Sequence, residues 1–292
     1  MQTLTRPLNT GRLSDSWREE IRGIVRAFSG AFLFGVPLLY TMEMWWLGQV
    51  ASPGDLLLML GIALLANFAL VTVAGFKRET SLFARLEQTL AAVAVGVVGA
   101  AVVLVTLNQL TVNDAPHTII GKIMLQVLPL SIGASLANIV FGRNDDRQGD
   151  DDDGGSKMPG VWHALFNDVG ATAIGAMFIA ASIAPTEEVP TLAARMSYWH
   201  LLALIGLTLV TGYVIVFASG FDPAAKQDRQ HLFQHPATET ALSYLVALIV
   251  SFGVLLLMKQ VSAEGPSSFA LTQTLVLGLP AMVGGAAGRI AV

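Results

Sequence analysis

Acidic side chains that could hold an ion recur at matching positions in a chain that is otherwise strongly apolar. Glu43 follows Thr41, and Glu188 follows Thr186 at an offset of 145 residues, with Glu187 beside it as a further candidate. A carboxylate within a bilayer is costly unless it is hydrated or paired, so a repeated one is a functional candidate. Two facing carboxylates would attract a cation or share a proton. The opposing interpretation is that both glutamates are solvated at the membrane surface.

A second acidic pair is expected at the inner side of the membrane. Residues 87–90 align with residues 239–242 at an offset of 152, which pairs Glu87 with Glu239. A carboxylate in the first turn of a helix complements the positive end of the helix dipole, and this is a sufficient structural reason for both. The functional hypothesis makes them the inner end of a cation path.

Asp168 has no acidic counterpart, because it aligns with Gly23. It lies within the predicted span 161–184. At 1.5 Å per residue along a helix, its distance from the start of that span is roughly 10 Å. An acidic residue at this depth is a candidate proton or cation ligand. Its partners are expected among Lys122, Gln126 and Asn138.

Proline and glycine form a third repeated element. The pattern Leu-Pro-x-x-x-Gly contains Pro129 and Gly133 and, at an offset of 151, Pro280 and Gly284, while Pro37 interrupts the first apolar run. Proline inside a helix leaves a carbonyl without its donor, and small residues allow helices to approach closely. We expect tight packing where the two halves of the chain meet. Helices broken around a transport site at mid-membrane are the alternative.

Composition identifies the solvent of the elements that carry these residues. Hydrophobic residues make up 53% of the chain and charged residues 13%, whereas soluble domains contain about 25% charged residues. Continuous apolar runs of about 20 residues indicate membrane-spanning helices rather than the alternating strands of a barrel. Because the chain has no cysteine, disulfides and cysteine-ligated metals are excluded. The runs predict eight spans, at approximately 24–48, 56–76, 84–108, 118–141, 161–184, 198–220, 239–259 and 268–291.

The chain contains an internal repeat. Residues 29–76 align without a gap with residues 174–221, and residues 128–139 align with residues 279–290. Four spans in each half give parallel repeats about a pseudo-twofold axis along the membrane normal. We therefore predict an all-α integral membrane protein made of a cytoplasmic tail with an amphipathic interfacial helix (1–23), a first four-helix repeat (24–141), an acidic cytoplasmic linker (142–159) and a second four-helix repeat (160–292).

The basic residues predict the orientation. If the N-terminus is cytoplasmic, 14 of the 17 Lys and Arg residues fall on the cytoplasmic side, and the other three are Lys122, Arg195 and Lys259. Cytoplasmic loops of membrane proteins carry such an excess of positive charge. Both termini are therefore expected in the cytoplasm.

The first span carries a motif that resembles a known family. Tyr40, Thr41, Met42 and Glu43, followed by Trp45, are similar to the Tyr-Thr-Met-Glu-x-Trp motif of a family of bacterial integral membrane proteins of unknown function. The resemblance covers most of the chain and implies that the motif residues are important, but it implies no substrate. The second half departs from the motif, with prolines at the equivalents of Tyr40 and Trp45.

These features predict a transporter or channel for a small cation, proton-coupled or channel-like, in the bacterial inner membrane. Glu43 and Glu188 would recruit the ion, Asp168 would relay it, and Glu87 and Glu239 would form the inner exit. The alternative is a non-transporting scaffold, sensor or lipid-binding protein. The expected partners are the lipid bilayer and a small cation or proton, with a homo-oligomer left open. No phosphate loop, nucleophile elbow, zinc helix or dinucleotide fingerprint occurs, so no enzyme activity, cofactor or nucleic-acid partner is expected, and a metal is undetermined.

Overall fold

The regular structure of the described chain is helical throughout. The computed structural model describes residues 10–74, 81–147, 161–218, 236–261 and 266–291. A π-helical turn, Val214–Ala218, continues the eighth helix. The helices are α1 (Thr10–Leu39), α2 (Met42–Val50), α3 (Pro53–Ala74), α4 (Leu82–Thr106), α5 (Pro116–Arg147), α6 (Val161–Ile183), α7 (Glu188–Arg195), α8 (Tyr198–Tyr213), α9 (Pro236–Leu257) and α10 (Ser267–Ala291).

The long apolar runs of the sequence have become helices of membrane-spanning length. Seven described helices are long and apolar enough to cross a bilayer, and an eighth span results if α6 and α7, bent by 89° at their break, count as one. Large apolar side chains on their outer faces, such as Leu65, Phe178 and Leu257, are mostly exposed, as a surface that faces lipid requires. The prediction of an all-α protein with about eight spans is confirmed.

The last helix of each half holds that half together. In the first half α5 packs against α1, α2, α3 and α4, and in the second half α10 packs against α6, α7, α8 and α9. We call the end of the bundle where α1, α4, α6 and α9 begin the near end, and the end where α2 and α7 lie the far end. The two halves thus follow the same order of contacts, while the pseudo-twofold axis stays a prediction.

Glycines form the closest helix crossings. A Cβ atom on Gly30 would overlap Gly133 and Ala137 of α5, and one on Gly175 would overlap Gly284 of α10. These crossings correspond at the sequence offsets of 145 and 151. The Leu-Pro-x-x-x-Gly glycines therefore pack helices within each half, and the expectation that they pack the halves against each other was wrong. Their small size allows two backbones to touch.

Several predicted boundaries differ from the structure. Helix α1 runs without interruption through the predicted boundary between residues 23 and 24, because residues 10–23 contain no proline. The predicted span 24–48 is divided into α1 and α2 by a turn at Tyr40. Helix α5 extends into the predicted linker as far as Arg147, and the rest of that linker lies outside the described residues. Pro37, Pro129 and Pro280 lie inside α1, α5 and α10.

We expect alanine at the crossing glycines to destabilise the bundle. Gly30→Ala and Gly175→Ala force the two backbones apart, and overpacking of this kind costs about 1–3 kcal/mol of unfolding free energy. Gly61→Ala and Gly206→Ala are matched controls, since nothing lies within 4 Å of an added Cβ at either position. The thermal unfolding midpoint in detergent measures the effect. Equal midpoints for all four variants would contradict the close crossings.

Candidate functional site

Three charged side chains from three helices meet at the near end. The Nη2 atom of Arg289 on α10 donates to Asp168 Oδ2 of α6 at 3.2 Å and to Glu239 Oε2 of α9 at 3.0 Å. The Nη1 atom of the same guanidinium lies 3.3 Å from the hydroxyl oxygen of Ser243. We call Asp168, Glu239 and Arg289 the ionic cluster.

Local helix geometry favours these charges at these positions. Glu239 lies in the first turn of α9 and Arg289 in the last turn of α10. A negative side chain at a helix start and a positive one at a helix end both complement the helix dipole. Asp168 is not at a helix end, and its carboxylate is paired with Arg289. The ionic cluster therefore needs all three helices to be packed together.

The ionic cluster is buried at its centre and open on one side. The side chains of Arg289 and Glu239 are 4% and 7% exposed, whereas that of Asp168 is 44% exposed. A small cleft is lined by these three residues together with Ser243 and Thr172. Asp168 is thus the member of the cluster that is accessible from outside the helix bundle.

Arg289 also contacts an aromatic ring. Its guanidinium carbon lies 5.6 Å from the ring centroid of Phe217, within the range of a cation–π interaction. Phe217 belongs to the π-helical turn that continues α8, and such turns are frequent at functional sites. The Nε atom of Arg289 is buried and has no hydrogen-bond acceptor among the described residues.

The ionic cluster brings two carboxylates to one guanidinium nitrogen. Carboxylates at such a depth in a membrane protein are candidate ligands for a proton or a cation. No group of three or more His, Cys, Asp or Glu residues suited to a metal ion occurs in the described part of the chain.

The predicted partners of Asp168 lie elsewhere. The ammonium of Lys122 donates to the carbonyl oxygen of Gln109 at 2.7 Å and lies 3.8 Å from Asp114, at the far end. Gln126 is fully buried, and its side-chain amide has no partner among the described residues. The side chain of Asn138 lies outside the described part of the structure. Sequence reasoning missed Arg289 as the partner, because the pairing depends on how α6 crosses α10 and not on the sequence alignment.

The Lys122 contact has an electrostatic consequence at the far end. Asp114 lies in the loop between α4 and α5, outside the spans. The backbone amide of Thr111 donates to its carboxylate at 3.0 Å. This hydrogen bond, followed by the charge of Lys122, lowers the pKa of Asp114 below its ordinary value. The ammonium of Lys122 therefore binds groups of this loop and does not contribute to the ionic cluster.

Structural landmarks determine the register between α4 and α9. The hydroxyl of Thr89 donates to the carbonyl four residues earlier, and that of Thr240 does the same. Beyond the helix ends, Asn108 and Lys259 both adopt positive φ angles, of 54° and 58°. Both pairs correspond at an offset of 151. Because each helix is continuous between these landmarks, one register applies along its length.

This register separates the two glutamates that the sequence alignment paired. At an offset of 151 Glu239 corresponds to Gln88, and the alignment at 152 was wrong by one residue. One residue turns a side chain by about 100° around a helix of 3.6 residues per turn. Accordingly Glu239 is buried at the ionic cluster, whereas Glu87 is exposed on α4.

At the far end, the motif Tyr40-Thr-Met-Glu-x-Trp45 forms the turn between α1 and α2. The hydroxyl of Thr41 donates to the carbonyl of Leu38 at 2.6 Å, and the indole of Trp45 donates to the carbonyl of Leu39 at 2.9 Å. The last carbonyls of a helix have no partner within it, and a buried one must be satisfied by other groups. Two motif side chains thus complete the end of α1.

Tyr40 satisfies a carbonyl in the other half of the chain. Its hydroxyl donates to the carbonyl of Val276 on α10 at 2.7 Å. Pro280 lies four residues after Val276 and has no N–H, so it leaves this carbonyl without its donor inside the helix. The motif tyrosine therefore joins the first half to the proline kink of the second.

The glutamates at the far end differ in environment. A carboxylate oxygen of the buried Glu188 lies 3.4 Å from the backbone nitrogen of Met42, at the start of α2. Glu43, the next residue, is exposed, and so is Glu187. The segments that carry Glu43 and Glu188 thus meet where the halves join. Only Glu188 is buried at this junction.

We expect Tyr40→Phe to destabilise the protein without disturbing its packing. The ring is fully buried and stays in place, but the carbonyl of Val276 loses its donor, which costs about 1–3 kcal/mol of unfolding free energy. Tyr198→Phe is the control, because Tyr198 is 85% exposed. Thermal unfolding of both variants in detergent tests this, and an unchanged midpoint for Tyr40→Phe would show that the hydrogen bond contributes nothing.

Comparison with known proteins identifies the family. No curated protein and no solved structure matches the chain. The family described as "Putative integral membrane protein (DUF2391)" matches residues 23–292. The match agrees with the resemblance to a family of integral membrane proteins of unknown function. The chain therefore belongs to this uncharacterised family of integral membrane proteins and is itself a multi-pass integral membrane protein.

Proposed function

We propose that this protein transports a small cation across the bacterial inner membrane, by a proton-coupled or channel-like route. The observation that carries the proposal is the ionic cluster itself, in which carboxylates from two spans contact one guanidinium nitrogen. Charged residues inside membrane proteins are costly, and they mark ion pathways and proton relays. Carboxylates in such a site can bind a positive ion and release it again.

The predicted orientation gives the route a direction. With both termini in the cytoplasm, the near end is cytoplasmic and the ionic cluster forms the inner site. Glu188, with Glu43 beside it, then lies at the outer side, where a cation would enter. Asp168 is the exposed member of the inner site and is the group through which an ion would exchange with the cytoplasm.

A non-transporting scaffold or lipid-binding protein is the competing function. One observation favours it: the two carboxylates that contact Arg289 lie on different helices, so the ionic cluster also holds α6, α9 and α10 together. Under this alternative the charges contribute only to stability. Flux separates the two functions, because a clamp needs no ion movement.

The proposal predicts cation flux that depends on the buried carboxylates. Purified protein in liposomes is assayed for flux of protons, sodium, potassium and calcium. Asp168→Asn, Glu239→Gln and Glu188→Gln are expected to reduce flux at least tenfold, equivalent to about 1.4 kcal/mol in the rate-limiting barrier. Glu87→Gln is the matched control, because this glutamate is exposed at the same end of the bundle.

The outcomes of the flux assay distinguish transport from a scaffold function. Flux that is lost in the three buried variants and kept in Glu87→Gln supports transport through these sites. Flux that survives in all variants removes the proposed path, and the absence of flux in the natural chain favours the scaffold. Thermal midpoints of each variant show whether a loss of flux reflects a loss of folded protein.

A further inference from the structure

Three adjoining helices of the second half carry buried polar side chains with atoms that have no hydrogen-bond partner among the described residues. These are Thr211 of α8, Tyr244 and Ser251 of α9, and Gln273 of α10. Each of the four is at most 8% exposed. We call them the polar series. Because buried polar groups in folded proteins are hydrogen-bonded to the protein or to water, the polar series indicates bound water between these helices.

The helix backbone satisfies other hydroxyls in the same three helices. Thr208, Thr240 and Thr274 each donate to the carbonyl four residues earlier, at 2.7 to 2.8 Å. Serine and threonine inside a helix can always use this acceptor when their rotamer allows it. Thr211 and Ser251 have no such bond. Their hydroxyls are therefore available to a molecule that binds between the helices.

Helix α10 gives the depth of the two outermost members of the polar series, at 1.5 Å per residue. Thr211 precedes Gly212, which packs against Met282. Met282 lies roughly 10 Å along α10 from Arg289, and Gln273 lies roughly 24 Å from it. The polar series therefore extends from near the ionic cluster toward the far end.

The other two members lie between these levels. A Cβ atom on Gly278 would lie 3.5 Å from the ring of Tyr244 and 3.9 Å from its hydroxyl oxygen. Gly278 is roughly 17 Å from Arg289 along α10, and Ser251 is roughly 18 Å from Glu239 along α9. The largest gap is thus roughly 10 Å, which two or three water molecules span at about 2.8 Å per hydrogen bond.

The polar series adjoins the cleft beside the ionic cluster. Ser243 lines this cleft, and Tyr244 follows it on the buried face of α9. The Nε atom of Arg289 is also buried without an acceptor among the described residues. Water in the cleft would accept from Nε, as buried waters do with polar groups that lack a protein partner. The cleft and the polar series can therefore hold one continuous chain of water.

The first half lacks these hydroxyls at the corresponding positions. At the offsets of 145 and 151, the three hydroxyl residues of the polar series correspond to Ala66, Val93 and Ala100. In the described part of the first half, the buried side chains with unpartnered atoms are Gln109, in the loop before α5, and Gln126 of α5. These two do not extend to the near end. The polar interior is thus a property of the second half.

We propose that the interior of the second half is a hydrated path between the far end and the ionic cluster, and that a small cation crosses the membrane along it. The path gives the proposed transport its route and, as a route, rests on that proposal. The unpartnered atoms of the polar series are all oxygens, the ligands that hard cations prefer. They belong to neutral groups, so they hold a cation weakly enough to release it, as conduction requires.

Silver ions test the path, because the natural chain has no cysteine and gives no background. Ser251→Cys, in the full chain in liposomes, is exposed to silver nitrate without chloride, denatured and labelled with a maleimide. Mass spectrometry then gives the fraction of thiol that silver did not reach. We expect silver to bind Ser251→Cys at least tenfold faster than Ala100→Cys, the equally buried counterpart in the first half. Ile249→Cys, which is 64% exposed on the outer face of α9, controls for entry through lipid.

A dry interior would give a different result. Equal rates for Ser251→Cys and Ala100→Cys overturn the proposal, and so does a faster reaction of Ile249→Cys than of Ser251→Cys. Thermal midpoints in detergent show whether each variant is folded. Thr211→Cys repeats the comparison at a second level of the path, and it decides the question if Ser251→Cys does not fold.

The silver assay and the flux assay fail independently. Rapid binding at Ser251→Cys, in a protein that moves no ions in liposomes, leaves the hydrated path standing and removes transport. Cation flux by the natural chain, with silver unable to reach Ser251→Cys and Thr211→Cys, keeps transport and removes this route.

Discussion

The close crossing of α6 and α10 determines which side chains can meet at the near end. Gly175 and Gly284 bring the two backbones into contact. Asp168 lies two turns before this point on α6, and Arg289 lies just over one turn after it on α10, so the two side chains face each other. In the first half the crossing of Gly30 with Gly133 has the same form. Both halves have this backbone contact. The side chains near each crossing determine whether charged groups meet there.

A second constraint acts at the far end, where backbone groups must be satisfied away from water. A backbone carbonyl that lacks a hydrogen bond in the hydrocarbon region raises the free energy of the folded protein by several kcal/mol. Tyr40 and Trp45 each donate to a buried carbonyl, and Thr41 donates to the exposed carbonyl of Leu38. Three residues of the motif are therefore explained by backbone hydrogen bonding. The motif glutamate, Glu43, is exposed and is not explained in this way.

The sequence predicted the architecture better than the contacts of the site. Composition and run lengths indicate membrane helices directly, because apolar length is set by the bilayer. The offsets of 145 and 151 also located the glycines that cross, although the crossings lie within the halves. The pairing of Glu87 with Glu239 failed because four aligned residues cannot fix a register to one position. In a helix, that single position moves a side chain from the buried face to the exposed one.

The partner of Asp168 was beyond sequence reasoning for a different reason. Arg289 is 121 residues away, and the ion pair depends on how α6 crosses α10. Hydropathy places both residues at one side of the membrane but says nothing about rotation around the helix axis. The useful signal was that Asp168, Glu239 and Arg289 all fall at the same predicted end. Opposite charges at one depth of a membrane are expected to pair.

The two halves have diverged in their buried polar groups. In the first half Asn67 of α3 bonds to Ser131 and Ser135 of α5, at 2.8 and 2.6 Å. At the offsets of 145 and 151, Asn67 and Ser131 correspond to Gly212 and Met282, which pack directly against each other. The neutral hydrogen-bonded network therefore belongs to the first half and the ionic cluster to the second.

The ionic cluster of the second half is connected to the first half through the π-helical turn. A change of charge at the cluster would act on helix α1 through this turn. Arg289 lies over Phe217 in the π-helical turn. At the start of that turn, the carbonyl of Val214 lies 3.3 Å from the hydroxyl oxygen of Ser29 on α1, which is also 2.8 Å from the carbonyl of Val25. Such π-helical turns are frequent at functional sites. Removing the charge of Asp168 leaves Glu239 as the carboxylate that pairs with Arg289 among the described residues, so the guanidinium, the ring beneath it and this turn are the first groups to respond.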